Sequence, residues 1–371
     1  MPRYTKMLVE GMKERGHAAE VLAPRPLFCK IRWFKKLQKW LGYIDQYIVF
    51  PAEVRAKLNN YSRDTLFVFT DHALGPWVPM VADRFHVIHC HDFLAQLSAI
   101  GEIRENHTGW TGRWYQAYIR SGFVKGKNFI SVSENTQKDL HRFHPLSKYS
   151  SHVVHNGLTH VFKPLDKQTA RSLFSHKVRL PLAEGYLLHI GGNQWYKNRE
   201  GVIEIYDIWR SAYLLRLPLI MIGENPSYGL KERYEQSPFK SNIHFLAGID
   251  DEFIRSAYAG ASVLLFPSFA EGFGWPIVEA MACGCPVVTT NEAPMIEVAG
   301  RAAIFIQRRP VEPAEVKSWA RKSAKLIQET LEMSTAEREA VIKAGLENAK
   351  RFDKEEAINK IEKIYISILG K

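Results

Sequence analysis

Two glutamates, Glu271 and Glu279, frame the stretch PSFAEGFGWPIVEAMACGCPVV that runs from residue 267 to 288. The apolar run ASVLLFPS just before it reads as a buried strand, and Pro276 suits the first position of a helix, where its missing N–H is not needed. Glu271 then falls in the turn between strand and helix, and Glu279 in the first helical turn. Gly272 and Gly274 let main-chain N–H groups approach a ligand, and a helix N-terminus adds partial positive charge, so this turn suits a diphosphate. A carboxylate beside such a site can accept hydrogen bonds from both hydroxyls of a ribose, the role expected of Glu279, with a sugar lying beyond the diphosphate towards Glu271. The plainer alternative is that Glu279 complements the helix dipole and Glu271 caps the turn.

A second turn offers the matching cation. In LLHIGGNQWYKNREG a strand ends at Gly191-Gly192 and presents Lys197 ahead of a helical pattern. A lysine there acts as a point charge on phosphate oxygens. No D-x-D pair offers carboxylates to a metal, and Asp250-Asp251-Glu252 reads as the acidic start of a helix, so no metal ion and no cofactor is expected. The sequence contains no G-x-x-x-x-G-K-[ST] loop, and no strand leads into G-x-G-x-x-G, which argues against a P-loop ATPase and a dinucleotide-dependent dehydrogenase.

Both turns need strands to hold them. Four apolar runs in the first half (TLFVFTD, HVIHCHD, NFISVSE, SHVVHNG) and six in the second (GYLLHIGGN, LPLIMIGEN, NIHFLAG, ASVLLFPS, CPVVTTN, AAIFI) each end in a polar or glycine turn. Buried parallel strands covered by helices on both faces read this way. The fold class is therefore α/β: two doubly wound, Rossmann-like domains facing each other across a cleft, with an irregular linker near residues 163–184 and a helical C-terminus from residue 313 onwards. Length agrees, since 371 residues exceed one ordinary core.

The net charge of +11 calls for an acidic partner. Residues 1–60 hold 12 Lys and Arg against 5 Asp and Glu, centred on FCKIRWFKKLQKWLGYI. Residues 28–44 thus read as a basic, aromatic amphipathic helix, which either lies on an anionic membrane surface or packs with its basic face in water. No nucleic-acid module is visible, so nucleic acid is not expected as a partner. Four cysteines, with Cys283 and Cys285 too close for an ordinary disulfide, and an opening that does not read as a signal peptide, point to the cytoplasm.

The stretch from Pro267 resembles the E-x7-E signature of retaining nucleotide-sugar glycosyltransferases of the GT-B fold, family 4 (glycosyl transferases group 1). The similarity continues in order through RYTKMLVEGMKERGHAAEVL, FISVSENTQKDL, VVHNGLTHVFKP, GGNQWYKN, HFLAGIDDEFIRSAYAGASVLLFPS and APMIEVAGRAAIFI. It implies metal-independent, retaining transfer of a hexosyl unit from a UDP- or GDP-sugar to an acceptor hydroxyl, in polysaccharide or glycolipid biosynthesis. The acceptor would be a glycan or a lipid-linked glycan, and the enzyme cytoplasmic, peripheral on the inner face of the membrane. The competing expectation is a nucleotide-sugar-binding protein with little or no turnover.

Residue by residue, the resemblance implies Glu271, Lys197 and His91 as the catalytic set. Gly272, Phe273, Gly274, Glu279, Gly192, Asn193 and the turn Ala247-Gly248-Ile249 would bind the donor, the last against its base. His89, two residues before His91, reads as a buried strand residue. Many relatives carry an arginine near the lysine, where this chain has Gly192, Asn193 and Tyr196; Arg199 is a candidate substitute. The implied domains are 1–165 on the acceptor side, 166–345 for the nucleotide-sugar, and a C-terminal helix, 346–371, returning towards the first. Relatives open with a strand and glycine-rich loop that have no counterpart before Arg3. The expectation is therefore a first sheet lacking its central strand, with AEVLA from Ala19 and a neighbour flanking a gap or closing it with strained pairing.

Overall fold

The computed structural model describes residues 3–30, 38–145, 149–159 and 161–370, so part of the basic segment noted in the sequence, residues 31–37, lies outside the described residues. The chain divides into two compact units. One comprises Met1–Ile100, Thr108–His155 and Glu355–Lys371, the other Gly101–His107 and Asn156–Lys354.

The first unit is built on a parallel sheet of four short strands in the order β1 (Phe67–Phe69), β2 (His86–Cys90), β3 (Asn128–Ser131) and β4 (Ser150–Val153). Side chains alternate between its faces as a pleated strand requires. Val87 and Ile130 join Met7, Leu8 and Met12 of helix Arg3–Glu14 and Ile358, Ile361 and Tyr365 of the C-terminal helix Lys354–Ile368. Ile88, Cys90 and Phe129 face the other way, onto Val78, Phe93, Ile119, Phe123 and Leu140. Gly11 is what allows the two helices to meet closely: a Cβ there would lie 3.0 Å from the Ile358 side chain.

This sheet departs from expectation in one respect. Residues 19–23, read as the strand AEVLA, lie outside the sheet, and Val21 is 46% exposed. β1 pairs directly with β2 in regular parallel register, Val68 opposite Val87, with neither a gap nor strained pairing between them. A short apolar stretch is compatible with a strand, but among the described residues no ladder takes this one up.

The second unit holds a six-stranded parallel sheet in the order β10 (Ile304–Ile306), β9 (Val287–Thr290), β8 (Val263–Phe266), β5 (Leu187–Ile190), β6 (Leu219–Ile222) and β7 (Ile243–Leu246). Each strand reads as a continuous apolar run because both faces are covered. Leu187, Leu219, Met221, Val263, Leu265 and Val288 pack on one face against helices Arg199–Ala212 and Pro313–Leu331. Trp209 anchors that layer, fully buried, its indole N–H donating to Gln328 Oε1 at 2.8 Å. The segment read as an irregular linker contains the helix Lys167–Val178. Asp166 caps it by accepting from the Thr169 amide at 2.8 Å, and Ala170 and Phe174 are buried four residues apart. Its end is hard to see in sequence because Arg179, rather than glycine, takes the left-handed C-terminal position at φ 57°.

Candidate active site

The site grows from the neighbourhood of β5 and β8. They are hydrogen-bonded to each other, Leu188 opposite Leu264, so the turns that follow them leave the same end of the sheet side by side.

After β8 the chain runs through residues 267–274 into helix Trp275–Ala282. Gly274 is its N-cap at φ 102°, a conformation that favours glycine. Phe273, 3% exposed, turns inward against the rings of Trp275 and Phe352, at 5.6 and 5.5 Å. Its side chain therefore anchors the turn, which leaves backbone amides as what residues 272–274 can offer a ligand. Further ties fix the strand end: Asn198 donates to the Pro267 carbonyl and Thr290 to that of Ser268, both at 2.8 Å.

After β5 come Gly191, Gly192 and Asn193, a single 3-10 turn at Trp195–Lys197, and helix Arg199–Ala212. Asn198 makes the junction in the left-handed region, φ 50° and ψ 43°. That reversal delivers Lys197 to Glu271: Nζ donates to Oε1 at 2.8 Å and Oε2 at 2.9 Å, with side-chain exposures of 14% and 6%. Lys197 also lies 5.2 Å from the centre of the Phe266 ring and 5.3 Å from that of Tyr196. The two residues singled out for charge chemistry thus meet in a nearly water-free pair, where electrostatic interactions are stronger than at a surface.

Around this pair are residues that sequence reading did not assign. Gly223, after β6, packs onto Gly191 so closely that a Cβ would lie 2.0 Å from the Gly191 carbonyl oxygen. The two loops are pinned together by Arg199, whose Nη1 donates to Asn193 Oδ1 at 2.6 Å and to the Glu224 carbonyl at 3.0 Å. Asn193 in turn donates its amide N–H to Glu224 Oε2 and its side-chain N–H to the Asn225 carbonyl. Arg199 is 5% exposed, its guanidinium lies 5.6 Å from the centre of the Phe245 ring, and its Nε and Nη2 find no hydrogen-bond partner among the described residues. It is thus a buried cation near the lysine turn, as the candidate substitute for the relatives' arginine should be, but bound into loop structure. Fully buried His189 lies beneath: Nδ1 pairs with the Leu265 carbonyl at 3.0 Å, and Nε2 has no hydrogen-bond partner among the described residues. A Cβ on Gly191 would be 3.1 Å from that Nε2 and 3.4 Å from Lys197 Cδ, so histidine and lysine flank the same backbone.

Glu279 is the fifth residue of its helix, one place beyond the first turn in which it was expected, because the helix begins at Trp275 rather than Pro276. It is 5% exposed, and Oε2 accepts from the Tyr258 hydroxyl at 2.9 Å. Burial, then the glutamate's charge, pushes the Tyr258 hydroxyl well above its ordinary range, so it stays a donor. The turn Ala247-Gly248-Ile249 follows β7, with Gly248 at φ 68°.

His91 belongs to the first unit, where its Nε2 pairs with the Thr70 carbonyl at 2.9 Å and Tyr4 meets its ring edge-on at 4.5 Å. His89 is fully buried, as its place in an apolar strand suggests, but it is also a clamp. Its Nδ1 pairs with the Tyr4 hydroxyl at 2.7 Å and its Nε2 with that of Tyr365 at 2.6 Å, joining the first helix to the last.

Burial holds both His89 and His189 down at about 3. An unfolded histidine binds a proton near pH 6.5, so each group's contribution is intact above that pH and is lost as pH falls from about 6.5 towards 3, by up to roughly 1.4 kcal/mol per pH unit. Urea midpoints should therefore drop between pH 7 and pH 5, and His89→Gln should flatten the dependence of the first unit. A midpoint unchanged over that range contradicts the assignment.

Comparison with known proteins follows the same division. Residues 171–347 match the family model described as glycosyl transferases group 1, and residues 1–160 match that of glycosyltransferase family 4. The O-antigen chain mannosyltransferase B of Escherichia coli is 33% identical over 174 residues, 46% of this chain and 42% of that protein. The O-antigen chain mannosyltransferase RfbU of Salmonella typhimurium is 27% identical over 207 residues, 56% and 52% of the two chains. The chain thus spans about half the length of the curated relatives it matches. Among solved structures, Thermosynechococcus elongatus sucrose-phosphate synthase superposes with TM-score 0.72 at 18% identity, covering 99% of this chain and 93% of the other. Anabaena HepE in complex with UDP and glucose gives 0.71 at 18% identity, covering 99% and 96%. WaaG, a glycosyltransferase involved in lipopolysaccharide biosynthesis, gives 0.69 at 16% identity, covering 98% and 95%. Two family models that between them match most of the chain, GT-B structural neighbours along its whole length and the paired Lys197 and Glu271 lead to one conclusion: the chain belongs to the glycosyl transferases group 1, with the GT-B fold.

Proposed function

We propose that this protein transfers a hexosyl unit from a nucleoside diphosphate-sugar, UDP- or GDP-linked, to an acceptor hydroxyl with retention of anomeric configuration, in the assembly of a surface polysaccharide or glycolipid. The observation that carries this reading is the buried Lys197–Glu271 pair beside a glycine turn and a helix N-terminus. The names of the relatives, two mannosyltransferases of O-antigen chains and a lipopolysaccharide enzyme, support it.

In this reading the donor diphosphate lies against the amides of residues 272–274 and draws Lys197 towards its oxygens. The bond between the anomeric carbon and the diphosphate oxygen breaks, with its electron pair passing to that oxygen. Lys197 and the helix start then stabilise the growing charge more than they stabilise the intact donor, which is the condition for acceleration, and they do so without a metal ion. The acceptor oxygen bonds to the anomeric carbon from the face that the diphosphate leaves, and its proton passes to the departing oxygen. Glu271, released from Lys197, faces the oxocarbenium-like centre. Glu279, held by Tyr258, takes the ribose, with the turn 247–249 against the base and Gly192 and Asn193 bordering the diphosphate. His91 acts on the sugar in this reading, and the acceptor is taken at the cytoplasmic face of the membrane.

Incubation with a panel of UDP- and GDP-sugars, reading slow donor hydrolysis and the anomer first released, tests the proposal. Hydrolysis of one donor with retention supports it, whereas inversion overturns the stereochemical assignment. Binding without turnover under any acceptor would make the chain a nucleotide-sugar-binding protein. With the active donor, Glu279→Ala should raise the Kd for the free nucleotide about tenfold, in line with loss of a good polar contact, while kcat changes little. The opposite split would remove Glu279 from the ribose.

A further inference from the structure

Two fully buried strand histidines, His89 and His189, differ in how their ring nitrogens are met. His89 has both engaged, by the hydroxyls of Tyr4 and Tyr365. His189 has one. Its Nδ1 faces the Leu265 carbonyl, which can only accept, so Nδ1 carries the hydrogen and Nε2 is a bare acceptor. That acceptor is fully buried and has no hydrogen-bond partner among the described residues. Burial, with the charges of Arg199 and Lys197 pushing the same way, keeps the ring neutral, so a proton does not fill the place. Leaving such an atom unsatisfied destabilises the fold, and packing does not ask for it. Leu187, Met221 and Leu265 share that face of the sheet, where an apolar side chain of similar size would serve.

What borders Nε2 is the lysine turn. A Cβ placed on Gly191 would lie 3.1 Å from Nε2 and 3.4 Å from both Cγ and Cδ of Lys197, so the imidazole edge and the lysine stem flank one bare Cα. They also share an aromatic neighbour. The centre of the Phe266 ring lies 6.3 Å from that of the imidazole, 25° from parallel, and 5.2 Å from Lys197 Nζ. An ammonium carries three N–H groups, and Lys197 directs its hydrogen bonds here at the two oxygens of Glu271. Arg199, the other cation near the ring, is fixed by its bonds to Asn193 and the Glu224 carbonyl, which leaves Lys197 as the donor with freedom to move.

We propose that His189 is a positioning residue for Lys197: its Nε2 receives an N–H of the Lys197 ammonium when a nucleoside diphosphate draws that lysine away from Glu271, and so holds the charge against the phosphate oxygens. The inference rests on the reading of Lys197 as the group that meets the diphosphate. No proton changes hands, since the ammonium keeps all of its hydrogens and exchanges a carboxylate contact for an imidazole and a phosphate contact. The unsatisfied acceptor raises the free energy of the ligand-free protein and not that of the complex. Satisfying it therefore contributes to affinity for the diphosphate.

Calorimetric titration of the full chain with UDP and with GDP tests this without any need for turnover. The proteins compared are wild type, His189→Leu, His189→Gln, Lys197→Ala and the double variant His189→Leu with Lys197→Ala. His189→Leu should weaken binding of the nucleotide on the order of tenfold, the scale of one hydrogen bond to a charged group, while its melting temperature holds or rises because an unsatisfied buried atom is gone. His189→Gln keeps an acceptor on a side chain of similar length and should recover most of the affinity. In the Lys197→Ala background, His189→Leu should change the Kd by less than about twofold, because the partner it serves is absent. A purely structural residue would instead lower affinity and melting temperature together, whatever stands at position 197. A loss of affinity that persists undiminished without Lys197, or a His189→Leu protein that binds as tightly as wild type, overturns the proposal. If wild type binds a nucleoside diphosphate but turns over no donor, the transfer reading falls while these constants still decide the role of His189; if it binds neither nucleotide, both fall.

Discussion

Replacing Glu271 by alanine should lower kcat with the active donor by about 10²-fold or more, the scale expected when a group that acts on the transition state is removed, and should leave KM within a few-fold. Lys197→Ala should fall in the same range or below it. The structure adds a sharper expectation than either single change. Because Lys197 Nζ contacts both oxygens of Glu271 in a pair that is almost entirely buried, each single variant leaves one charge stranded. The double variant removes both, so its loss of kcat/KM should be far smaller than the product of the two single losses, and its melting temperature should recover part of what either single variant gives up. Steady-state kinetics of the four proteins, with thermal melts of the same samples, measure this directly. Losses that simply multiply would mean that the two side chains work independently and that their contact is incidental. Glu271→Gln refines the result: it keeps the shape but not the charge, so a kcat near that of the alanine variant points to electrostatics.

Much of this site is legible in the amino-acid sequence. The turn after β8 and the turn after β5 are local events, each written in a few consecutive residues: an apolar strand, glycines, then a helix start. Their contact is not local. Lys197 and Glu271 are 74 residues apart, and what unites them is that β5 lies beside β8, with β6 and β7 on its other side. Strand order is a property of the assembled sheet, and nothing within four apolar residues specifies a neighbour. The same reason hides Tyr258 behind Glu279 and Glu224 behind Asn193, since both partners arrive from other strand–helix units. It also explains the error at residues 19–23, where local pattern favours a strand that no ladder accommodates, and the one at the linker, where an ordinary capped helix ends on a left-handed arginine instead of a glycine. In the first unit, the burial of His89 follows from its apolar strand. Its two tyrosine partners, one near each end of the chain, come together only because the first and last helices share one face of the sheet.

The packing of Gly223 on Gly191 leads to a second large effect. Gly223→Ala should destabilise the unit that holds β5–β10 by about 3 kcal/mol or more, combining an unfavourable left-handed-side backbone with a clash against main chain. Its φ of 150° lies in territory that side chains rarely adopt, and the new methyl would sit 2.0 Å from the Gly191 carbonyl oxygen. A side chain could rotate away from such a clash, whereas Gly191 is held by its amide donating to the Ile222 carbonyl at 3.0 Å. Relief must come from separating the two loops, which breaks the Arg199 and Asn193 contacts to residues 224 and 225 and shifts the turn that carries Lys197. The melting transition of this unit should therefore fall by roughly 6–12 °C, at 2–4 °C per kcal/mol for a domain of its size. In whatever fraction remains folded at low temperature, affinity for the nucleotide-sugar should drop along with kcat. Gly248→Ala makes the informative comparison. It too has a positive φ, 68°, but a Cβ there meets nothing within 4 Å, so its effect should be limited to backbone strain of about 1 kcal/mol. Equal melting shifts for the two variants would show that backbone conformation, and not the contact between the loops, governs the response, and would remove Gly223 from the architecture of the site.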